Sequence, residues 1–325
     1  MAMPDSAARS PVIRAGGVAK SYGDHVVLRD ISVDISPGLT GLLGANGAGK
    51  TTLLSLVLGV DQRDGGQLEV LGQDPTIAGP EIRARIGYSP EHHHLPADVQ
   101  AADLVRHLAQ LHGLPAAASN ERASDALWLV GLGEERFRPI GTMSTGQRQR
   151  VKLAAAIAHD PLLVLLDEPT DGLDPVQRDA MLALIRRIGT DYGISMVMSS
   201  HLLEEVERTC DHVVIIADGS VRLAGELAEL RQGGSGIVVE VDERSEQVAE
   251  ALRRRGRNVE IRSGQLLVSA PVEAVDTREF DGAVYDEIRD SVVEAGVGLR
   301  RLTERTITLE DLFLDAGAVP AGGDS

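Results

Sequence analysis

Cysteine is nearly missing from this chain. Cys210 stands alone among 325 residues, so no internal disulfide can staple the fold, and the usage suits a reducing compartment. Cys210 itself reads as a small residue at the edge of a core. Aromatic residues are equally scarce at 2%, so the core must be assembled from Leu, Val, Ile and Ala, which an apolar content of 43% supplies. There is no run of about 18 apolar residues, which excludes a membrane-spanning helix from the reading. The stretch from Met1 to Pro11 is polar and lacks the apolar segment of a secretory signal. Lysine is confined to Lys20, Lys50 and Lys152, and the other basic charge is arginine. Acids outnumber bases 49 to 32, for a formal charge of −17. Such a chain is repelled by polyanions at long range, which speaks against a nucleic-acid partner and against broad adhesion to anionic lipid heads.

The length suggests one large domain plus a small one. From Val12 to about Glu229, short apolar runs alternate with helical stretches. Leu39–Leu43, Leu162–Leu166, Ile194–Met198 and His212–Ile216 read as strands, the second buried on both faces. Val176–Ile188 has apolar residues at helix spacing. The alternation predicts a parallel α/β sheet covered on both sides. Residues 91–160 differ: they are rich in Ala and helix formers, with helices expected at Ala101–His112 and Asn120–Val130. Residues 232–236 read as a linker after a first domain over 1–231. Beyond it the order strand, helix, strand, strand, helix, strand predicts a small α+β domain over 237–317, of ferredoxin-like type, closed by a polar tail over 318–325.

Gly44-Ala45-Asn46-Gly47-Ala48-Gly49-Lys50-Thr51 matches the P-loop pattern, between an apolar strand and a helical run. Glycines there let successive N–H groups turn inward as a nest for phosphate oxygens, and the next helix aims its positive end at the same anion. Lys50 reaches the β- and γ-phosphates, and the Thr51 hydroxyl can ligate Mg²⁺. Leu162–Leu166 then runs into Asp167-Glu168. Two adjacent carboxylates at the end of a buried strand are costly unless a cation waits for them. Ligands collect at such strand ends, so Asp167 reads as the Mg²⁺ partner and Glu168 as the group that orients or deprotonates water.

With these two motifs come three more in a fixed order, and together they resemble the ABC ATPase family over about Val12 to Glu229. Met143-Ser144-Thr145-Gly146-Gln147 looks like the family signature. Gly172-Leu173-Asp174 looks like the D-loop, and Ser200-His201 like the switch-histidine loop. Tyr22 lies upstream, where the family stacks an aromatic ring on adenine. The resemblance implies a P-loop NTPase, RecA-like core with a helical subdomain, and hydrolysis of ATP. It implies an ATP site built from Tyr22, Asn46, Gly47, Ala48, Gly49, Lys50, Thr51, Thr52 and Glu91. Ser144, Gly146, Gln147 and Asp174 would complete that site on a second copy. Mg²⁺ would be held at Thr51, Asp167 and Glu91, and the catalytic pair would be Glu168 with His201.

It further implies a second nucleotide-binding domain, a homodimer in the simplest case, and transmembrane permease subunits. The protein would lie in the cytoplasm, peripheral on the inner face of a bacterial plasma membrane. Thr308–Leu314 resembles the close of ATPases of drug, antibiotic or polysaccharide exporters. A soluble ABC protein acting on ribosomes or DNA is the alternative. One P-loop, no long heptad run and strong acidity weigh against it.

Two departures from the family pattern stand out. Glu91 occupies the place of a customary glutamine that senses Mg²⁺ and water, and Thr145 that of a frequent glycine. Three adjacent histidines on a loop, His92-His93-His94, would point in different directions, so a metal site is not expected there. Trp128 and Phe137 are expected in the core, and Arg253-Arg254-Arg255 on a solvated helix face.

Overall fold

The computed structural model describes residues 10–91, 95–233, 236–242, 244–262, 265–269 and 282–305. The first elements are β1 Ile13–Tyr22, β2 His25–Ile35, β3 Leu39–Leu43, α1 Lys50–Val57, β4 Gly65–Val70, α2 Gly79–Arg83 and β5 Ile86–Ser89. A helical block follows: α3 Ala101–Leu111, α4 Ala116–Leu129 and α5 Thr145–Ile157, with two short 3₁₀ turns before α5. The chain then runs through β6 Leu163–Asp167, α6 Pro175–Tyr192, β7 Ser195–Ser200, α7 Leu203–Thr209, β8 His212–Ala217 and β9 Ser220–Glu226. Last come α8 Leu227–Gly233, β10 Gly236–Val241, α9 Ser245–Arg254, β11 Asn258–Arg262, β12 Gln265–Ser269, α10 Gly282–Ala295 and β13 Leu299–Arg305. The chain divides into two compact units, with the break between Glu226 and Leu227.

In the first unit nine strands lie in the order β4-β1-β2-β9-β8-β3-β7-β6-β5. The five from β8 to β5 pair in parallel. β4, β1 and β2 pair antiparallel. Every residue of β3, β6 and β7 is buried, the unbroken apolar run that a strand covered on both faces requires. The expected strands are present within a residue or two of their predicted limits. The antiparallel part was not anticipated. Its strands alternate buried and exposed positions, and each carries charges on the wet face. Leu28, Ile31, Leu54, Leu68, Ile82 and Leu165 meet in the core between the layers. Each such side chain, fully buried, contributes about 1.5–3 kcal/mol.

The helical block corrects one expectation. Trp128 is 68% and Phe137 50% exposed, so neither is core. The buried stripe of α4 is Ser119, Ala123, Ala126 and Leu127. Trp128 follows Leu127 by about 100° around the helix and so turns to solvent. Phe137 lies in a 3₁₀ turn with the Arg136 guanidinium 4.6 Å from its ring centre. Cys210 is buried, at the C-terminal end of α7.

The second unit is a four-stranded antiparallel sheet in the order β11-β12-β10-β13. Helices α9 and α10 pack Val248, Leu252, Ile288 and Val292 on Ile237, Val239, Leu266 and Val268. This is the ferredoxin-like arrangement. Within it, Arg254 and Arg255 are paired with Glu294, and Arg255 also donates to the Glu287 carbonyl. Part of the arginine run thus stitches α9 to α10 rather than only facing solvent. The expected linker at 232–236 begins inside α8, which continues to Gly233. The Thr308–Leu314 segment, the tail and His92-His93-His94 lie outside the described residues.

Candidate functional site

Strand register assembles the site. Leu43 of β3 is level with Ser200 of β7, Ser199 of β7 with Asp167 of β6, and Leu166 of β6 with Ser89 of β5. The carboxyl ends of four parallel strands therefore open on one side, where α/β sheets bind ligands.

The loop after β3 is a phosphate cradle in its geometry. Gly47 and Gly49 have φ of 82° and 103°, a backbone that turns N–H groups to one side. A Cβ on Gly49 would come within 2.5 Å of Leu28 Cδ2, so glycine is required there for space as well. Helix α1 starts at Lys50 with no side chain capping its N–H groups and no acid in its first turn. Those donors and the helix dipole are thus open to an anion. Asn46 and Gly47 are exposed, Ala48 half-buried, Thr51 exposed and Thr52 half-buried.

Lys50 is buried, 6% exposed, and its Nζ donates to the Gly44 carbonyl at 2.7 Å. The same Nζ stands 3.2 Å from Glu168 Oε1. That contact is an ion pair without hydrogen-bond alignment, since Oε1 is buried and takes no hydrogen bond.

Asp167 and Glu168 are both buried. Ser199 Oγ joins them, donating to Asp167 Oδ1 at 2.6 Å and accepting the Glu168 N–H at 2.9 Å. Glu168 sits at φ 45°, a left-handed turn that swings its carboxylate off the strand axis. His201 donates from Nδ1 to Glu168 Oε2 at 2.9 Å. Lys50, Glu168 and His201 form one line of contacts. The other oxygen of Asp167, Oδ2, is buried with no hydrogen-bond partner. A carboxylate oxygen left so is costly and fits a divalent cation. Among the described residues no cluster of three metal-ligating side chains exists. The same negative field is felt at Tyr88, where burial first, then Asp167 and Glu91, push the phenol up to about 12.

Tyr22 is half exposed at the end of β1. Its hydroxyl donates to Asp61 and interacts with Thr52 on α1. Lys20 Nζ lies 4.9 Å from the ring centre, 2.8 Å from Asp61 Oδ1 and 2.7 Å from the Gln62 carbonyl. The hydrogen bond from Lys20, then that from Tyr22, hold Asp61 below the usual carboxylate range. The ring is tethered at its edge while its body stays accessible.

The signature turn is elsewhere. Ser144 caps α5: its Oγ accepts the Gln147 N–H at 3.2 Å, and Gln147 Oε1 accepts the Ser144 N–H at 3.0 Å. This capping box stabilises the helix start by about 1 kcal/mol. It uses the Gln147 side chain but leaves the Ser144 O–H free to donate. Asp174 caps α6, accepting the Gln177 N–H at 2.9 Å, with Pro175 at the first helical position. The two turns touch. Gln149 donates to the Asp171 carbonyl at 3.2 Å, and a Cβ on Gly146 would collide with Gln177. Among the described residues no hydrogen bond or ion pair joins the Ser144 turn to the loop holding Lys50.

Glu91 follows β5. Its carbonyl accepts from Lys152 of α5 at 3.0 Å. Lys152 is buried, and burial lowers its pKa against the raising pull of Asp171, Asp167 and Glu91.

Several polar residues were not singled out from the sequence: Asp61, Thr170, Ser199 and Glu205. Their only signal is that they flank motifs, and a lone Ser or Glu beside a motif reads as surface until burial is known.

The ABC transporter family profile matches residues 28–171. Nod factor export ATP-binding protein I of Cupriavidus metallidurans is 30% identical over 308 residues, covering 93% of this chain and 96% of that protein. Linearmycin resistance ATP-binding protein LnrL of Bacillus subtilis is 32% identical, over 70% of this chain and 74% of the relative. Among solved structures, cbiO1 from Clostridium perfringens, part of the ABC transporter complex cbiONQ, superposes with a TM-score of 0.62. It is 26% identical, over 68% of this chain and 91% of that one.

Proposed function

The chain belongs to the ABC transporter family, and from that premise we propose that it is the motor of a bacterial exporter whose membrane-spanning part is a separate permease. It binds and hydrolyses ATP. The export role follows the Nod factor export and linearmycin resistance proteins it resembles, not the alternative of a ribosome- or DNA-acting relative. Among the described residues no helix is long and apolar enough to cross a membrane, so the transport path lies in that permease. The motor sits on its cytoplasmic side.

The observation that carries the reading is the line Lys50, Glu168, His201, beside a cradle of uncapped N–H groups. The cradle and Lys50 bind the triphosphate, with Asn46, Gly47, Ala48, Gly49, Thr51 and Thr52 around it, and Tyr22 stacks on the base. Thr51, Asp167 and Glu91 would hold Mg²⁺, which would supply charge neutralisation at the phosphates. Glu168 accepts a proton from the attacking water and orients it, and His201 fixes the Glu168 carboxylate. The N–H groups and Lys50 stabilise charge that grows on the transferring phosphoryl group. Among the described residues no hydrogen bond or ion pair ties the Ser144 turn to the Lys50 loop, which supports a role for that turn across an interface. Ser144, Gly146, Gln147 and Asp174 therefore serve the ATP of a second copy, and two ATP molecules close a homodimer.

Titration with Mg-ATP tests the reading. Wild type binds, and Lys50→Ala abolishes binding. Glu168→Gln retains binding and loses hydrolysis by about 100-fold or more, the usual worth of a general base. ATP binding that survives Lys50→Ala would overturn the account.

A further inference from the structure

Glu205 lies on α7, four residues past His201, and is 3% exposed. A carboxylate buried this deeply is destabilising unless donors surround it. Here two hydroxyl donors and one guanidinium come from three different segments. Ser200 Oγ donates to Oε2 at 2.6 Å and Thr170 Oγ1 to Oε1 at 2.8 Å. Arg178 Nε stands 3.3 Å from Oε1 as an ion pair.

Each donor sits next to a residue of the site. Ser200 precedes His201. Thr170 is two residues after Glu168. Arg178 lies one helical turn after Asp174, whose carbonyl accepts its N–H at 2.8 Å. Ser199 alternates with Ser200 at the end of β7, one side chain binding Asp167 and the other Glu205. Helix α7 is itself a fixed platform: Val206 rests against Gly41 of β3 where a Cβ would collide with it, and β3 leads into the Lys50 loop.

We propose that Glu205 is a positioning residue whose single buried carboxylate holds the His201 loop, the Glu168 turn and the Asp174 turn in mutual register. It touches neither nucleotide nor water. It acts by fixing the His201–Glu168 contact and by tying that contact to the Asp174 turn, so that movement at the face meeting a second copy reaches Glu168. The inference rests on the functional reading above.

Glu205→Gln preserves size and one acceptor, but opposes an N–H₂ to a hydroxyl and removes the charge facing Arg178. The expected result is a kcat about 100-fold lower, the effect of an ångström-scale misplacement. KM and Mg-ATP affinity stay as in wild type. Thr170→Ser, which keeps the hydroxyl, restores what Thr170→Val loses. Ser200→Ala lowers kcat alone but adds little on top of Glu205→Gln, because both cut the same tie.

Wild-type kcat in folded Glu205→Gln overturns the proposal, as does a parallel fall of kcat and ATP affinity with thermal stability. Should Glu205→Gln not fold, wild-type kcat in both Ser200→Ala and Thr170→Val overturns it. If wild type itself fails to bind Mg-ATP, the functional reading falls instead.

Discussion

Acid should loosen the joint between the helical block and the sheet through one histidine. His159, just past α5, is buried at 9% exposure and stacks on His112 at the end of α3, with ring centres 3.7 Å apart. Its Nε2 donates to the Ile86 carbonyl at 3.2 Å, while Nδ1 is buried with no partner. A second proton would have to go on that Nδ1. Burial, and then the neighbouring His112, lower its pKa from the ordinary 6.5 to about 4. A histidine with a depressed folded pKa contributes stability that is complete above 6.5 and is lost as pH falls toward 4. The whole gap is worth about 3 kcal/mol, of which about 2 kcal/mol is gone at pH 5. His159→Gln keeps an N–H for Ile86 and cannot titrate. Urea unfolding, followed by the fluorescence of the single tryptophan Trp128, reports on the unit holding both rings. Between pH 7.5 and pH 5 the stability of wild type relative to His159→Gln should fall by about 2 kcal/mol. If the two proteins lose stability in parallel, the buried Nδ1 is not the acid-sensitive group and the reasoning fails.

Three further outcomes follow from contacts around the site. Gly87→Ala would drive a Cβ into the Ala156 carbonyl of α5, so the thermal midpoint should drop by an amount equivalent to about 1–3 kcal/mol or more; an unchanged midpoint would show that α5 can shift freely. Lys152→Met removes the hydrogen bond from the Lys152 ammonium to the Glu91 carbonyl. It should cost about 1–3 kcal/mol and speed amide exchange around Glu91, and unchanged exchange there would refute the tie. Cys210 is buried and its thiol is pushed up to about 12, chiefly by burial; a maleimide should therefore label it only in urea, and prompt labelling of native protein at pH 8 would contradict the packing.

What could be read in advance was what local chemistry dictates. A nest of N–H groups needs glycines at fixed intervals, so the Lys50 loop is visible in the residues themselves. An all-apolar run such as Leu163–Leu166 must be covered on both faces, so a parallel sheet could be inferred from it. The acids that follow it could be assigned a cation because their burial would otherwise be costly. The small unit was legible for the same reason, since its strands and helices alternate at lengths that suit a two-layer α+β fold.

The antiparallel strands β1, β2 and β4 were harder. Their half-wet faces mix charge with apolar residues, and register shifts interrupt the alternation. Trp128 misled because size is not position: one residue of helix rotation separates it from buried Leu127.

The sequence by itself determined the phosphate loop, the paired carboxylates and the alternation of strand and helix, because each rests on residues adjacent in the chain. Only the tertiary structure decided that Glu168 lies between Lys50 and His201, that Lys152 holds the Glu91 carbonyl, and that Glu205 gathers Ser200, Thr170 and Arg178. Those contacts join residues far apart in sequence, and their energy depends on burial, which no short stretch of chain contains.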